Sequence, residues 1–528
     1  MAAQTRRLPV GIQSFINIRK ENFLYVDKSD IVWQLANNGL QYNYLSRPRR
    51  FGKSLLVDTL QAYFEGQRHL FEGLKIMELE HDWIKRPVIR LDMSRGGATE
   101  ATLRSFLDLA FSRYEDKYNI SPRPNSSLAN RFDSIILTAY QQTGQQVAIL
   151  IDEYDSPLQH SWHTPEHEAC TAVYREVFAI LKADDEMECF VFITGITKFT
   201  QISLFSVLNN LSNISFEPQF ATICGISKQE MVDNFMPEIE QMAEFNKWTI
   251  EETLAKLKDY YDGYHFCDTN MIDVYNPYSL VNALNHKRLR SYWTSSGATS
   301  LLPKFVNDME LHLDDFDHCS VLRGILETSD VTGGGPELFL YQSGYITIKD
   351  SDEVGYIHGI PNEEVRQALN EMVRPALTMR RQGDILSLQA NLYRQLGTGM
   401  LDDAKKTLRS LIADVPYSNK KLASMDMEDR YRLIISTILN AIGIRVEVER
   451  MLATGRIDLV AWLSRYIYVI ELKLSNNGGI AAAEQQITTC GYTEPFKGDT
   501  RKVVGLAVEL DSEGKGLIDW KVVEERQL

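Results

Sequence analysis

A chain of 528 residues predicts more than one domain, with room for sizeable cores. Its 44% hydrophobic and 24% charged residues are ordinary for a soluble globular protein. The formal net charge of −15, with a pI near 5.3, excludes a general nucleic-acid coat but leaves room for a local basic groove. Cys170, Cys189, Cys224, Cys267, Cys319 and Cys490 are scattered with no C-x-x-C pair, which points to reduced thiols rather than a zinc or redox centre. The opening Met-Ala-Ala-Gln-Thr-Arg-Arg lacks the apolar core of a signal peptide, and no run is long and apolar enough to span a membrane, so a cytoplasmic protein is expected.

In chain order, Phe23-Leu-Tyr-Val precedes a predicted helix from Ile31, with Ser29 or Asp30 as N-cap. Phe15 and Tyr25 could contact a nucleotide base or simply pack in the core. Tyr42-Asn-Tyr-Leu-Ser46 then reads as a short strand. A loop follows, made of Arg47, Pro48, Arg49, Arg50, Phe51, Gly52, Lys53 and Ser54, and a helix is predicted from Leu55. A strand, a Gly-Lys-Ser loop and a helix suit a phosphate chain: backbone N–H groups face the anion, the lysine reaches the terminal phosphates and the hydroxyl holds Mg²⁺. The full pattern G-x-x-x-x-G-K-[ST] has Arg47 in place of its first glycine, so the match is partial.

Strands are predicted at Pro87–Ser94, Val147–Asp152 and Cys189–Gly195, with Phe220–Gly225 as a possible fifth. Ser121–Ser127 reads as a loop. Alternation of strands with helices implies a parallel sheet with helices on both faces and ligands at the strand carboxyl ends. There Asp152 is the candidate Mg²⁺ ligand, Glu153 the residue that orients or deprotonates water, and Thr194 the candidate sensor of the γ-phosphate. The bland alternatives are a core strand with a solvated acidic end and a plain strand-end hydroxyl.

Residues 228–330 read as a mostly helical lid. The Thr332-Gly-Gly-Gly-Pro336 turn precedes Leu338–Ile348 and Tyr356–Val365, read as two short strands flanked by helices in a winged-helix-like unit. Amphipathic helices over 363–427 are expected to bridge to a last domain from about Leu422. In that domain Met427–Leu439 reads as a helix carrying Glu428. Strands are predicted at Val446–Glu449, Gly455–Trp462 and Tyr466–Leu474. If the last two pair as a hairpin, Asp458 lies near Glu471, and Glu471 and Lys473 share a face. Two carboxylates there suit a hard divalent cation, with the lysine beside a water or a phosphate. Gln486, on a following helix, could turn toward them. Ordinary charge alternation on an edge strand is the competing reading.

These pieces together resemble the bacterial and archaeal AAA-ATPase-like proteins that carry a C-terminal PD-(D/E)xK nuclease domain. The resemblance spans nearly the whole chain. It rests on Leu8-Pro-Val-Gly-Ile12, Tyr25-Val-Asp-Lys28, Arg47–Ser54, Ile151-Asp-Glu-Tyr-Asp155, Tyr341-Gln-Ser-Gly-Tyr345, Ile360-Pro-Asn-Glu-Glu-Val365, Gly455-Arg-Ile-Asp458 and Glu471-Leu-Lys473. The family's own loop reads R-P-R-R-F-G-K-S, so Arg47 is a family trait. The resemblance implies an α/β chain in four parts: an AAA-like P-loop domain (1–227), a helical lid (228–330), a winged-helix-like and helical connector (331–421) and a restriction-endonuclease-like α/β domain (422–528). It implies ATP and Mg²⁺ at residues 47–55, Asp152 and Thr194. Mg²⁺ or Mn²⁺ is implied at Asp458 and Glu471 with Glu428, and catalytic roles at Lys473 and Gln486. Expected partners are ATP and nucleic acid, DNA ahead of RNA, with a homo-oligomer possible and defence or a mobile element as settings. A nucleotide-dependent switch that binds without cutting stays open, as does an ATPase that binds without turnover.

Overall fold

The computed structural model describes residues 7–121, 125–197, 211–269, 271–295, 319–322, 335–351, 355–373, 382–413 and 426–526, and these divide into two compact units, Met1–Arg366 and Gln367–Leu528. The Thr332–Gly334 part of the predicted turn, residues 122–124 of the predicted loop and the expected domain start near Leu422 lie outside the described residues.

The first unit is built on five parallel strands, β1 (Tyr42–Ser46), β2 (Val88–Asp92), β3 (Val147–Asp152), β4 (Glu188–Gly195) and β5 (Ser212–Asn213), in the order β2-β3-β4-β1-β5. Val147-Ala-Ile-Leu-Ile is buried throughout, as a central parallel strand covered on both faces requires. From β1 the chain crosses by helix Lys53–Phe64 to the far edge, then returns through helices Glu100–Tyr118 and Leu128–Thr143 to β3. Right-handed crossovers in opposite directions put those helices on opposite faces of the sheet. β4 separates the phosphate-loop strand β1 from the acid-bearing strand β3. The expected fifth strand at Phe220–Gly225 is instead a set of turns. Pro218 opens them, and the Arg47 guanidinium holds the Phe220 carbonyl at 3.0 Å.

Within the predicted lid, helices Lys228–Asn246, Ile250–Tyr261 and Pro277–His286 share a core of Met231, Phe235, Ile239, Leu257, Tyr261 and Leu280. Capping boxes at Ser227/Glu230 and Thr249/Glu252 start the first two. A small antiparallel sheet follows, β8 (Cys319–Leu322), β10 (Gly355–Gly359) and β9 (Thr347–Ser351), after a two-stranded pair β6 (Ile226–Ser227) and β7 (Val274–Tyr275). Leu338–Ser343 is helical rather than extended. A short, wholly buried apolar run has no period that separates helix from strand, and here burial on all sides permits the helix.

The second unit holds β11 (Arg445–Leu452), β12 (Gly455–Trp462), β13 (Tyr466–Leu474), β14 (Lys502–Leu510) and β15 (Leu517–Arg526), in that order. β13 and β14 are parallel, joined by helix Gly479–Cys490; the other pairs are antiparallel. Alternate residues serve opposite faces. Tyr468, Ile470 and Leu472 pack with helices Gln382–Thr398, Leu401–Ile412 and Met427–Ala441, whereas Ile467 and Val469 pack with Ala483 and Ile487 of helix Gly479–Cys490. The helices expected to be a connector over 363–427 therefore include two, Gln382–Thr398 and Leu401–Ile412, that cover one face of this sheet. Among the described residues no helix is long and apolar enough to cross a membrane, and five of the cysteines are free thiols.

Candidate functional sites

In the first unit the site lies at the carboxyl ends of β1, β3 and β4. Gly52 enters helix Lys53–Phe64 at φ +92°, a conformation that disfavours side chains, and nothing lies within 4 Å of where a Cβ would project. Lys53 is 6% exposed, and its Nζ donates to the carbonyls of Arg47 at 2.8 Å and Pro48 at 2.9 Å. Burial lowers its pKa, against the opposing pull of Glu153, Asp155 and Asp152. Ser54 stands beside Asp152 and pulls its carboxyl down against burial. Burial pushes Asp152, Glu153 and Asp155 up, with Lys53 pulling back on all three. Glu153 sits at φ +48°, a left-handed conformation uncommon for a residue with a side chain and concentrated at functional sites.

Arg47 contributes its carbonyl to the loop but not its guanidinium. The guanidinium is buried, donates to the carbonyls of Ser46, Ser215 and Phe220, and lies 4.2 Å over the Phe266 ring. Pro48 packs against Gly344, where a Cβ would come within 2.6 Å. The Arg49 carbonyl accepts from the Trp293 indole at 3.3 Å. The Arg50 guanidinium lies 4.7 Å over Tyr278, and Phe51 packs edge-on against Tyr264 and Phe266. Leu55 lines a cavity of about 170 Å³ beside Gly52, with Tyr25, Ile226 and Val281. Phe15 does not line that cavity; it is fully buried behind it, packed against Tyr25 and Phe71. The Thr194 hydroxyl is also fully buried and donates to the Leu45 carbonyl at 2.8 Å, so the structure does not bring it to the loop's open side.

Three residues outside the sequence expectations shape this site. Asp155 ties the end of β4 to β3, its Oδ2 accepting from the Ile196 and Thr197 amides at 3.1 and 2.6 Å. Gly195 permits this approach, because a Cβ there would lie 2.4 Å from Asp155 Oδ1. Glu364 accepts from Ser279 and from the amides of Tyr292 and Trp293, which fixes the indole that holds the loop. Burial raises its carboxyl to about 7. Glu364 belongs to Ile360–Val365, a stretch already distinctive in the sequence; Ser279 and Trp293, some 70 to 85 residues upstream, carry no local signal.

In the second unit β12 and β13 pair from Trp462/Ile467 to Leu459/Ile470. Beyond that rung the Leu472 amide turns to Asp458 Oδ2 at 2.9 Å. Asp458 (4% exposed) and Glu471 (1% exposed) are thus brought together, as expected. Lys473 Nζ donates to Glu471 Oε1 at 2.9 Å and lies 3.5 Å from Glu428 Oε1. Burial and the neighbouring Asp458 raise Glu471 to about 7, while Glu471's hydrogen bond holds Lys473 above the usual lysine range despite its burial. Gln486 donates to the Tyr492 hydroxyl at 3.0 Å, which itself donates to the Arg456 carbonyl.

Two residues at this site went unread in the sequence. Arg432, one helical turn after Glu428, places Nε 3.1 Å from Asp458 Oδ1 and NH1 2.7 Å from both Asp429 Oδ1 and Glu449 Oε1. Glu449 lies across the β11–β12 pair from Asp458, between the rungs Val448/Leu459 and Arg450/Ile457. The i, i+4 spacing of Glu428 and Arg432 was the available signal.

Among the described residues no three His, Cys, Asp or Glu side chains converge as a ready metal cage. The fit to a divalent ion rests on Glu471 Oε2, a buried oxygen with no hydrogen-bond partner, close to a second carboxylate. A carboxylate oxygen left bare in the interior is costly unless a cation or proton meets it. Asp458 and Glu471 would hold the ion, leaving positions open for water or substrate oxygen. At the other site Ser54 and Asp152 would hold Mg²⁺, and Lys53 with the loop amides would hold phosphate.

Residues 9–205 match the family described as Predicted AAA-ATPase, and residues 426–520 match the PD-(D/E)XK nuclease superfamily. An uncharacterized protein in the vnfD 5′ region of Azotobacter chroococcum mcd 1 is 28% identical over 535 residues, covering 98% of this chain and 99% of that protein. Among solved structures, the Aeropyrum pernix ORC1 protein in complex with DNA is 13% identical, covering 64% of this chain and 89% of that one, at a TM-score of 0.26 that is too low to bear on mechanism.

Proposed function

This chain joins an AAA-ATPase-like domain to a C-terminal PD-(D/E)XK nuclease-superfamily domain, and from that premise we propose that it is an ATP-hydrolysing, metal-dependent nuclease acting on DNA ahead of RNA. Lys53 and the loop amides bind the terminal phosphates, Ser54 and Asp152 hold Mg²⁺, and Glu153 orients the attacking water. At the second site Asp458 and Glu471 hold a divalent ion against the scissile phosphate, and Lys473 stabilises the charge that develops there. The observation that carries this reading is the bare, buried Glu471 Oε2 beside Asp458.

The test is phosphate release and plasmid nicking, with Mg²⁺ and with Mn²⁺, by parent, Lys53→Ala and Glu471→Ala. The reading expects Lys53→Ala to lose phosphate release and Glu471→Ala to lose nicking while keeping phosphate release. Nicking that survives Glu471→Ala contradicts it. A second reading, a nucleotide-dependent switch whose C-terminal domain binds without cutting, draws support from Arg432, a cation already seated on Asp458. It expects phosphate release with no nicking in either metal.

A further inference from the structure

Arg432 is 7% exposed and projects from helix Met427–Ala441, the helix that also carries Glu428. Its guanidinium bridges three carboxylates: Asp458, in the carboxylate pair, and Asp429 and Glu449 toward solvent. A planar guanidinium suits such bridging, because its donors are fixed in one plane and its charge is permanent. Glu449 is in turn held by a second guanidinium, Arg456 NH1 at 2.8 Å. Its backbone is left-handed at φ +53° in the middle of a strand, so the chain departs from regular geometry at the position that anchors Arg432 opposite Asp458.

We infer that Arg432 is a built-in counter-ion of the carboxylate site, a positioning residue that aims Asp458 and competes with the divalent ion for it. This rests on the metal-site reading above. Asp458 has Oδ2 fixed by the Leu472 amide and Oδ1 by Arg432, so its carboxylate plane is set before any ion arrives. An ion at Glu471 Oε2 and Asp458 shares the latter with a fixed positive charge, which weakens its binding. Glu449 moderates that competition by drawing part of the guanidinium's charge outward. Neutralising Arg432 therefore tightens ion binding, and neutralising Glu449 weakens it. A purely structural role for the network moves both in one direction, toward weaker binding.

The test is calorimetric Mn²⁺ titration of the full chain without nucleotide, taking the heat lost in Glu471→Ala as that of this site, with circular dichroism to confirm folding. The expected results are binding at least about fivefold tighter in Arg432→Gln, near-parental in Arg432→Lys and several-fold weaker in Glu449→Gln, as removing or sparing one screened charge close to the ion requires. A folded Arg432→Gln that binds Mn²⁺ as the parent does, or more weakly, overturns the inference. If Arg432→Gln fails to fold, Arg456→Gln decides, because it leaves Glu449 to draw on Arg432 alone: tighter binding supports the inference, and unchanged or weaker binding overturns it. A parent with no Glu471-dependent heat overturns the metal-site reading itself and the inference with it.

Discussion

The two sites are built in opposite ways. At the phosphate loop the central cation, Lys53, is held by main-chain carbonyls, and the acids Asp152 and Glu153 stand across from it. At the β12–β13 site the cations Lys473 and Arg432 are held by the acids themselves, and one acidic oxygen is left over. The first site thus depends on backbone shape, and the loop is clamped from outside by Trp293, Gly344 and, through the Arg47 guanidinium, Ser215 and Phe220. The second depends on charge balance among side chains. Substitutions that spare shape should be tolerated at the first, and substitutions that spare charge at the second.

The largest expected effect breaks the first site. Lys53→Ala removes the charge proposed to face the terminal phosphates and the donor that draws two loop carbonyls together. Loss of a buried, hydrogen-bonded charge of this kind costs about 2–5 kcal/mol, so ATP affinity measured by calorimetry should fall by roughly 30- to 5,000-fold. Parental affinity would remove the phosphate-loop reading. Next, Lys473→Met tests the second site. It should cut plasmid cleavage by about 100-fold or more, as loss of a group acting on the reacting phosphate does, while Mn²⁺ titration still detects the ion. Loss of ion binding together with cleavage would make Lys473 a structural partner of Glu471 only.

The comparison also marks what the sequence could and could not reveal. The strand, the Gly-Lys-Ser turn and the helix are consecutive, so the loop was legible. The same holds for Asp458, Glu471 and Lys473, which two short neighbouring strands bring together. Distant contacts were not legible. Arg47 reads as a loop residue, but its guanidinium is claimed by Ser215, Phe220 and Phe266 from far along the chain. Thr194 ends its strand as expected, yet the register with Leu45 takes up its hydroxyl. Amphipathic spacing marked the helices after residue 363 but could not say which sheet would cover their apolar faces.

In the first unit, away from its chemistry, Glu188 makes stability depend on pH. Glu188 at the start of β4 is 1% exposed; Oε2 accepts from the Tyr42 hydroxyl, and Oε1 has no partner. Burial pushes its carboxyl to about 8, with nearby Asp184 adding to the effect. The folded state therefore binds this proton more tightly than the unfolded state. The contribution to stability is fully present below the unfolded pKa of about 4.5 and is lost as pH rises through about 8. Glu188→Gln should flatten that slope and stabilise the fold above pH ~8 by about 1–3 kcal/mol in denaturant titrations. An unchanged slope would contradict the burial argument.

The smallest effect concerns the external clamp. Trp293→Phe keeps a six-membered ring but loses the indole N–H and its hydrogen bond to the Arg49 carbonyl, for which at least about 1 kcal/mol, or roughly fivefold in ATP affinity, is expected. An effect as large as that of Lys53→Ala would mean the loop is held chiefly from outside.

The most direct test of the central claim, two separate cation sites of different construction on one chain, is anomalous diffraction from crystals of the full chain grown with Mn²⁺ and a non-hydrolysable ATP analogue. The account predicts two manganese peaks, one bound by Ser54 and Asp152 against the triphosphate and one bound by Asp458 and Glu471 Oε2. Density for the nucleotide with no manganese at Asp458 and Glu471, or manganese bound there through neither carboxylate, would contradict it.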